Sequence, residues 1–423
     1  MNIGIIIGRI GDVDGVALET EKWIQVLKGM GHRIFIMSGR YARHIVEPED
    51  ETLVQMLSFF SPECEWEQKR AFFLPRFEDL DELLDQLEYS SNRIAVYIFK
   101  WILTNRIDIL LSENASTLPC HLSMGMGIKK VVKNTGLRIV CHDHDFHWER
   151  GDRYKSPFKE INDLVNGTFP LLSPNASHAV INTYSKNTLR EKFDIDATLV
   201  PNVMDFNEPY AEIDEYNRDM LDNIGLGKGD IPIFQATRIV RRKGIGTAIE
   251  LIERIQDTKV KLIITGTYAD DERYGYYKEL MQLVKDKNLN GRVFFSRNRI
   301  LSHRTQSHTG KKIYSLSDAY AHAIACTYFS KYEGFGNAFI EAVLAKRPVF
   351  VNNYKPVFWH DIGSKGFKTV MIEENNLTDA AVDEIFKIIH SKKLRGEIAE
   401  HNYKLAQKYF SYDVLEEKLA ELF

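Results

Sequence analysis

Two successive series of apolar runs and amphipathic helices constrain the fold more than any other feature of this sequence. Residues 3–7 form a nearly continuous apolar run, as in a parallel strand that is buried on both faces. A loop with Gly8, Gly11 and Gly15 follows, and the next residues present one apolar helical face. Residues 33–37 are again mostly apolar. The N-terminus therefore predicts a strand, a helix and a second strand, which together form one βαβ unit.

The same alternation begins again after a polar stretch, residues 206–230, which holds Pro209 and three glycines and indicates a linker. We predict an N-terminal domain over 1–205, a C-terminal domain over 231–400, and terminal helices over 401–423 that pack back on the N-terminal domain. The predicted fold class is α/β, with two facing, Rossmann-like, doubly wound domains. Ligands of such sheets bind beyond the carboxyl ends of the strands, so the predicted site is an interdomain cleft.

The composition excludes several classes of protein. The chain has 55 Lys and Arg against 59 Asp and Glu, and this net charge of −4 argues against a nucleic-acid partner. The four cysteines form no CxxC pair, which indicates reduced thiols and not a zinc ribbon. The sequence shows neither a basic leader nor an apolar run near 18 residues, so we expect a cytoplasmic chain without a transmembrane segment.

The sharpest motif is a pair of glutamates, Glu333 and Glu341, separated by seven residues that include Gly334 and Gly336. Residues from Ala338 onward favour a helix, and the N–H groups at a helix N-terminus bind anions. Helical side chains lean toward the N-terminus, so both carboxylates are expected to border one small space. Carboxylates suit the hydroxyls of a sugar and a ribose better than phosphate. The alternative is a glycine-capped helix start with two surface glutamates.

A basic segment, residues 237–244, directly follows the first strand of the second series. It contains Arg238, Arg241, Arg242 and Lys243. Cations at the carboxyl edge of a parallel sheet can neutralise a diphosphate, because Arg offers a bidentate fork and Lys a point charge. The alternative is a solvated basic loop.

A run of three histidines and three acids covers residues 142–149, after a strand of the first series. This composition suggests a metal site, and a metal-dependent hydrolase is one alternative function. In an extended segment, however, successive side chains point to opposite faces and split the ligands, and no HExxH spacing is present. We therefore favour sugar and phosphate contacts at this edge, with an exposed loop as the alternative.

Five cations follow strands of the first domain and indicate an anionic acceptor. Arg150, Arg153 and Lys155 follow the histidine run, and Arg40 and Arg43 follow the second strand. Arginine binds phosphate or carboxylate groups bidentately, and a neutral sugar would use these charges poorly. The alternatives are cations that solvate the rim, or that attract an anionic membrane carrying a lipid acceptor.

Residues 96–111 mix aromatic residues, leucines and cations. A core helix is favoured over a membrane-surface helix, because the helical run passes directly into an apolar strand. Peripheral membrane contact stays open. The loop at residues 11–16 matches neither a GxGxxG fingerprint nor an EF-hand, although its place before the first helix permits an amide contact to a ligand.

Taken together, these residues resemble glycosyltransferase family 4. The resemblance covers most of the chain, is strongest over 231–352, and is most specific at the E-x7-E motif. Residues 177–185 and 200–202 also look like the family. Sucrose-phosphate-synthase-like and mannosylglucosylglycerate-type enzymes are two groups within it that this chain could represent. The resemblance implies a GT-B fold, retaining transfer from a nucleotide sugar by front-face attack, and no metal or other cofactor required for catalysis.

The resemblance also implies a role for each matching position. Arg238 and Lys243 match cations that bind the donor diphosphate, Glu341 matches the acid on the ribose, and Glu333 matches the acid on the donor sugar. The donor-binding loop comprises Gly334, Phe335, Gly336, Asn337 and Ala338. Gly15 matches the first-loop glycine beside the diphosphate. His142 matches the histidine near the transferred sugar, and we place it in an acceptor-binding set with Asp143, Arg150, Arg153 and Lys155.

Three features depart from the family. Lys346-Arg347 precedes Pro348 where the family usually has a glycine, and the run at 142–150 is unusually charged. The third is an insertion-like stretch, 297–312, which is basic and contains His303 and His308. They affect the acceptor and not the class. We predict a retaining hexosyltransferase with a donor of the UDP-glucose or GDP-mannose type and a small, anionic acceptor. The alternatives are the metal-dependent hydrolase, a non-catalytic nucleotide-sugar-binding protein, and a phosphorylase on the same fold.

Overall fold

The computed structural model describes residues 1–12, 14–266, 275–296 and 298–423, and the chain divides into two compact units. Unit 1 comprises Met1–Val203 together with Tyr412–Phe423, and unit 2 comprises Met204–Ser411. Each unit is built around its own parallel sheet. The sequence pattern of the second series also predicts a helix over about 272–287, and the start of this range lies outside the described residues.

The sheet of unit 1 has seven parallel strands in the order β3-β2-β1-β4-β5-β6-β7. The chain starts in the middle of the sheet and extends it in both directions, as a doubly wound fold does. The strands are β1 (Asn2–Ile7), β2 (Arg33–Ser38), β3 (Glu51–Leu53), β4 (Ile109–Glu113), β5 (Ile139–Asp143), β6 (Ala176–Val180) and β7 (Thr198–Leu199).

Helices connect these strands and bury their apolar faces on the sheet. They are α1 (Gly15–Gly29), α2 (Pro62–Gln68), α3 (Leu80–Asn105), α4 (Leu122–Thr135), α5 (Lys159–Thr168) and α6 (Thr183–Phe193). Asp14 caps α1 by accepting hydrogen bonds from the backbone N–H groups of Val16 and Ala17, both at 3.0 Å. The cap holds the first loop at the carboxyl end of β1, where a ligand of a parallel sheet binds.

Unit 2 contains a six-stranded parallel sheet in the order β10-β9-β8-β14-β15-β16, and a small sheet in the order β11-β13-β12. Its strands are β8 (Ile231–Gln235), β9 (Val260–Ile264), β10 (Val293–Phe295), β11 (Ile300–Leu301), β12 (Thr305–Gln306), β13 (Lys312–Ser315), β14 (Ala325–Tyr328), β15 (Val349–Asn352) and β16 (Val370–Ile372). The helices are α7 (Met220–Asn223), α8 (Ile245–Arg254), α9 (Gly275–Asp286), α10 (Leu316–His322), α11 (Asn337–Leu344), α12 (Val357–Asp361), α13 (Asp379–His390) and α14 (Lys392–Phe410).

The unit boundaries correct two of the predicted ones. Residues 206–230 belong to unit 2 instead of forming a free linker. Side-chain contacts tie them to that unit, because the Asn217 amide donates to Asp318 at 2.7 Å and Lys312 pairs with Asp219 at 2.8 Å. Part of the polar composition of this stretch therefore serves hydrogen bonding within unit 2.

The second correction concerns the C-terminus. The predicted terminal segment, 401–423, is divided between the units, because α14 ends in unit 2 while the last helix, α15 (Tyr412–Leu422), belongs to unit 1. Leu415 and Leu419 are fully buried in the core of unit 1. Unit 1 thus needs the final residues of the chain to complete its core.

The stretch predicted as a core helix forms the second half of α3 and then β4. Ile94, Ile98 and Trp101 are buried on the sheet side of α3, whereas Tyr97 and Phe99 are partly exposed. Within the described residues, we find no helix that combines the length and the apolarity needed to cross a membrane.

Candidate active site

Two loops of unit 2 carry the predicted donor residues, and they follow neighbouring strands. One loop follows β8 and the other follows β14, and the two strands pair in parallel. Their carboxyl ends therefore lie at one edge of the sheet. A backbone hydrogen bond of 2.7 Å from the N–H of Lys331 to the carbonyl of Arg242 joins the loops directly.

The centre of this loop pair is an ion pair between Lys243 and Glu333. Both residues are at least nine-tenths buried, and Arg242 adds a second contact to the Glu333 carboxylate at 2.9 Å. Burial lowers the pKa of Lys243 despite the attraction of the carboxylate. Burial alone would raise the pKa of Glu333, but the charges of Lys243 and Arg242 outweigh it, so that pKa is lowered. The carboxylate is therefore ionised at neutral pH.

Two glycines allow the loops to approach so closely. Gly244 has a φ of 63°, and a Cβ atom there would lie 1.9 Å from the carbonyl oxygen of Phe329. A Cβ atom on Gly336 would lie 2.3 Å from the hydroxyl of Tyr354. Neither position tolerates a side chain without movement of its surroundings, so the close packing depends on both glycines.

The other glutamate of the motif lies on α11. Glu341 accepts a hydrogen bond of 3.1 Å from the hydroxyl of Tyr320, whose ring is buried. The same hydroxyl also donates to the carbonyl of Ala338 at 3.4 Å. Phe335 is buried edge-on against the ring of Phe410. The segment between the two glutamates is thus held on both sides by aromatic residues.

The remaining donor-loop residues surround this core. Gly334 and Gly336 flank Phe335, and Asn337 is the first residue of α11. Arg238 follows β8 and is exposed, in contrast to the buried Lys243. The structure therefore brings Lys243 and Glu333 into direct contact and leaves the guanidinium of Arg238 at the surface of the loop.

In unit 1, the centre of the predicted site is His142 at the end of β5. Its ring is fully buried, stacks on Trp23 with centroids 3.9 Å apart, and donates from Nδ1 to Glu113 Oε2 at 2.9 Å. Glu113 was missed by the sequence analysis. The β4–β5 register places it directly opposite His142. An acid at the end of the neighbouring apolar strand was the signal that could have found it.

Burial shifts the pKa values of both Glu113 and His142, in addition to the effect of their charges. Burial raises the pKa of Glu113, but the charges and hydrogen bonds of His142 and His144 outweigh it and lower that pKa to about 2. Burial lowers the pKa of His142, so its ring is neutral at pH 7. A neutral His142 that donates from Nδ1 keeps a lone pair on Nε2, which can accept a hydrogen bond or bind a cation.

The structure corrects the role predicted for Asp143. Its side chain is fully buried and accepts hydrogen bonds from Thr117 and, at 2.7 Å, from Nδ1 of His178. Strand alternation explains this, because Asp143 points to the face opposite His142 and His144. Asp143 therefore stabilises the interior of unit 1 and does not line an acceptor site.

The predicted acceptor cations do not converge. Arg150 forms an ion pair with Asp145, Lys155 pairs with Asp152 at 2.6 Å, and Arg43 pairs with Glu21. Arg153 lies over the ring of Tyr154, with its guanidinium carbon 5.3 Å from the ring centroid. The three cations after β5 therefore have separate partners.

Arg40 differs from these cations. It lines a cavity of about 820 Å³ in unit 1, together with Arg93, Tyr97 and Phe60. In the part of the chain that the structure describes, Arg40 has no carboxylate partner. Arg93 lies on α3, far along the chain from Arg40, and the sequence analysis did not include it.

Two predicted features of unit 1 remain, Gly15 and the run 142–149. Gly15 opens α1, and a Cβ atom there would meet nothing within 4 Å, so the loop is open at this point. The run 142–149 is split: Glu149 accepts from the backbone N–H of Phe146 at 3.2 Å, within its own turn. Only two of its histidines, His142 and His144, come together.

Comparison with known proteins identifies the class. Residues 218–405 match the family described as "Glycosyl transferases group 1". A mannosylglucosylglycerate synthase of Petrotoga mobilis is 31% identical over 97% of this chain and 98% of its own. The enzyme of the same name from Thermotoga maritima is 31% identical over 99% of both chains.

Solved structures show the same fold. A glycosyltransferase from Rickettsia africae has a TM-score of 0.69 at 15% identity, covering 99% of this chain and 97% of its own. Anabaena HepE, solved with UDP and glucose, has a TM-score of 0.66 at 15% identity over 99% and 98% of the two chains. The predicted GT-B fold, with a seven-stranded and a six-stranded parallel sheet, is thereby confirmed. The chain belongs to the group 1 glycosyltransferases.

Proposed function

We propose that this glycosyltransferase is a retaining enzyme that moves a hexose from a nucleoside diphosphate sugar to a hydroxyl of a small, anionic acceptor. The observation that carries the proposal is the buried contact between Lys243 and Glu333 in the loops after β8 and β14. A buried charge pair at the carboxyl edge of a parallel sheet is costly to maintain unless its groups are used.

The chemistry of Lys243 and Glu333 suits two parts of a nucleotide-sugar donor, the diphosphate and the sugar. Lys243 carries three N–H donors, so it can hold Glu333 and a phosphate oxygen at once. Glu333 is ionised and accepts hydrogen bonds from sugar hydroxyls. Glu341 on α11 is assigned to the ribose hydroxyls, as the family resemblance implies.

Catalysis in this proposal is electrostatic. When the bond from the sugar to the diphosphate breaks, negative charge grows on the leaving phosphate, and Arg238, Lys243 and the first N–H groups of α11 stabilise it. The acceptor attacks from the same face, and the leaving phosphate takes its proton. This route needs no enzymatic nucleophile, and His142 is assigned to a contact with the transferred sugar.

Two observations support an anionic acceptor. Both relatives with 31% identity are named for a product that contains a glycerate, and glycerate carries a carboxylate. In unit 1, Arg40 and Arg93 both line one cavity, which also contains Glu63. We propose a glycerate derivative or a sugar phosphate as the acceptor class and a mannosyl or glucosyl group as the transferred hexose.

A matrix of donors and acceptors tests the proposal. Nucleotide release is measured from UDP-glucose, GDP-mannose, UDP-GlcNAc and ADP-glucose, each with glycerate, glucosylglycerate, 3-phosphoglycerate or glycerol. We expect release from one donor, dependent on an anionic acceptor and absent with glycerol. Proton NMR of the product then gives the anomeric configuration, and a retained α-linkage is expected.

Two of the alternative functions have their own outcome when a reaction with inorganic phosphate is added to the matrix. Binding of a nucleotide sugar without turnover for any acceptor would indicate a sensor. Consumption of a donor with inorganic phosphate alone would indicate a phosphorylase. An inverted anomeric configuration would disprove retention while leaving glycosyl transfer intact.

A further inference from the structure

Two neighbouring strands of unit 1 bring three potential metal ligands together. His142 and His144 are two residues apart, so strand alternation directs both side chains to the same face. The β4–β5 register sets Glu113 opposite His142. One ligand atom from each of the three residues lies within 4.8 Å of the others. Strand alternation places the side chains of the whole run on two faces, but it places His142 and His144 on the same face.

The three side chains share a property: each has a buried polar atom left without a hydrogen-bond partner. Among the residues that the structure describes, no group contacts Oε1 of Glu113, Nε2 of His142 or Nε2 of His144 within hydrogen-bond geometry. All three side chains are more than nine-tenths buried. Native interiors contain few such atoms, and each requires an explanation. Three orphaned atoms in one cluster indicate that a common partner belongs there.

The chemistry of the atoms defines that partner. A carboxylate oxygen and the lone pair of an imidazole nitrogen are acceptors, and acceptors bind hydrogen-bond donors or cations. We propose that Glu113, His142 and His144 bind a divalent transition-metal cation, with Zn²⁺ as the reference ion. Two imidazoles with one carboxylate favour such ions over Mg²⁺ or Ca²⁺, which prefer oxygen ligands alone.

The geometry needs little adjustment. Ligand atoms around a tetrahedral Zn²⁺ ion are roughly 3.4 Å apart, given bond lengths of about 2.0–2.2 Å. The ligand atoms of the cluster lie within 4.8 Å of one another, so side-chain rotations must bring them closer around the ion. Trp23, stacked 3.9 Å from His142, holds that ring in place. Three protein ligands leave a fourth position, which water or a substrate hydroxyl can occupy.

The test measures metal binding directly and needs no substrate, so its outcome is independent of the proposed function. Tag-free, full-length protein is stripped with EDTA, freed of chelator by gel filtration and titrated with Zn²⁺ by calorimetry. Mass-spectrometric metal analysis follows a second gel filtration. We expect one equivalent of Zn²⁺, and visible absorption bands of four-coordinate Co²⁺ when cobalt replaces zinc.

Variants locate the site. His144→Ala and Glu113→Gln are each expected to weaken Zn²⁺ binding more than about tenfold, because each removes a ligand. His147→Ala is the matched control, since His147 lies in the same run but outside the cluster, and its affinity is expected to be unchanged. Circular dichroism checks the fold of each variant. Less than a stoichiometric amount of bound zinc, or equal affinity in wild type and His144→Ala, would overturn the proposal. The three acceptor atoms would then be assigned to hydrogen bonds from hydroxyl groups of a ligand.

Discussion

Two predicted donor residues of unit 2 contact each other, whereas three of the five predicted acceptor cations of unit 1 each pair with a different acid. Lys243 and Glu333 come from loops after adjacent strands and meet in a buried ion pair. Arg150 and Lys155 come from one continuous stretch and pair with Asp145 and Asp152 of that same stretch. The two regions contain similar residue types, but the charges pair between two loops in unit 2 and within one stretch in unit 1.

The difference teaches which sequence patterns carry over to a site. In unit 2 the charged residues are accompanied by glycines, and Gly244 and Gly336 allow close packing that excludes water. A buried charge must then find a partner from another loop. In residues 145–155 of unit 1, by contrast, Arg150 and Lys155 find their acid partners within the same stretch of chain. Opposite charges that are far apart along the chain are therefore better candidates for a buried site than opposite charges within one stretch.

The strongest test of the unit 2 arrangement is Lys243→Met. We expect kcat to fall roughly 100- to 1,000-fold, because the charge that stabilises the leaving diphosphate is removed. Arg238→Ala is expected to act in the same direction. Steady-state kinetics separate the effects, and a change in KM alone would show that the contact is equally strong in the ground state.

Two further variants control that experiment. Arg241→Ala removes an exposed cation of the same segment that pairs with Glu279, and its kcat is expected to stay within about threefold of the wild type. The double variant Lys243→Met/Glu333→Gln avoids leaving an unpaired buried carboxylate. If the double variant recovers kcat, the loss in Lys243→Met was structural.

The second prediction concerns the ribose assignment. Glu341→Ala is expected to weaken nucleotide-sugar binding roughly 10- to 100-fold, since a hydrogen bond to a charged group contributes about 1.5–3 kcal/mol. Calorimetric titration with the donor measures this. Glu374→Ala, an exposed acid of the same unit, is the control. Unchanged donor affinity in a folded Glu341→Ala variant would remove the assignment.

The third prediction compares cations within unit 1. Arg40→Ala is expected to raise the KM for an anionic acceptor about tenfold, because Arg40 faces a cavity without a carboxylate partner of its own in the described residues. Arg150→Ala and Arg153→Ala are expected to have smaller effects, since both side chains already have partners. The reverse order would restore the loop after β5 as the acceptor site.

The smallest expected effect is the pH dependence of a buried pair in unit 1. The ring of His121 lies 3.3 Å from Glu67, and although burial lowers its pKa, the carboxylate outweighs burial and raises it. The pair therefore stabilises the fold below the unfolded-state pKa of 6.5, and this contribution is lost as pH rises through the higher folded-state value.

Urea unfolding of the wild type and His121→Gln measures this contribution. The difference in free energy of unfolding is expected to be largest at pH 5.5 and to shrink toward pH 9. His360→Gln, at an exposed position of unit 2, is the control variant. A difference for His121→Gln that grows with pH would mean that the ring is neutral in the folded protein.

The sequence predicted the structure best where a single stretch of chain determines the local fold. The apolar runs at β1 and β8, and the glycines beside Lys243 and Glu333, supported the fold class and the donor segments, because these patterns act locally. Glu113 was not found, since its importance comes from the β4–β5 register. Both faces of β5 are buried, and residue type does not reveal that Asp143 finds its partners, Thr117 and His178, in the interior of unit 1.

The sequence by itself thus determined that this chain forms two doubly wound domains, and which loops carry its charged residues. Hydrophobic periodicity and glycine positions are local properties that survive in any tertiary arrangement. Only the tertiary structure decided the partner of each charge: Lys243 with Glu333, Arg150 with Asp145, and Glu113 with His142. The physical reason is that Coulomb and hydrogen-bond energies depend on distance and burial, and both are set by strand register and by the packing of loops.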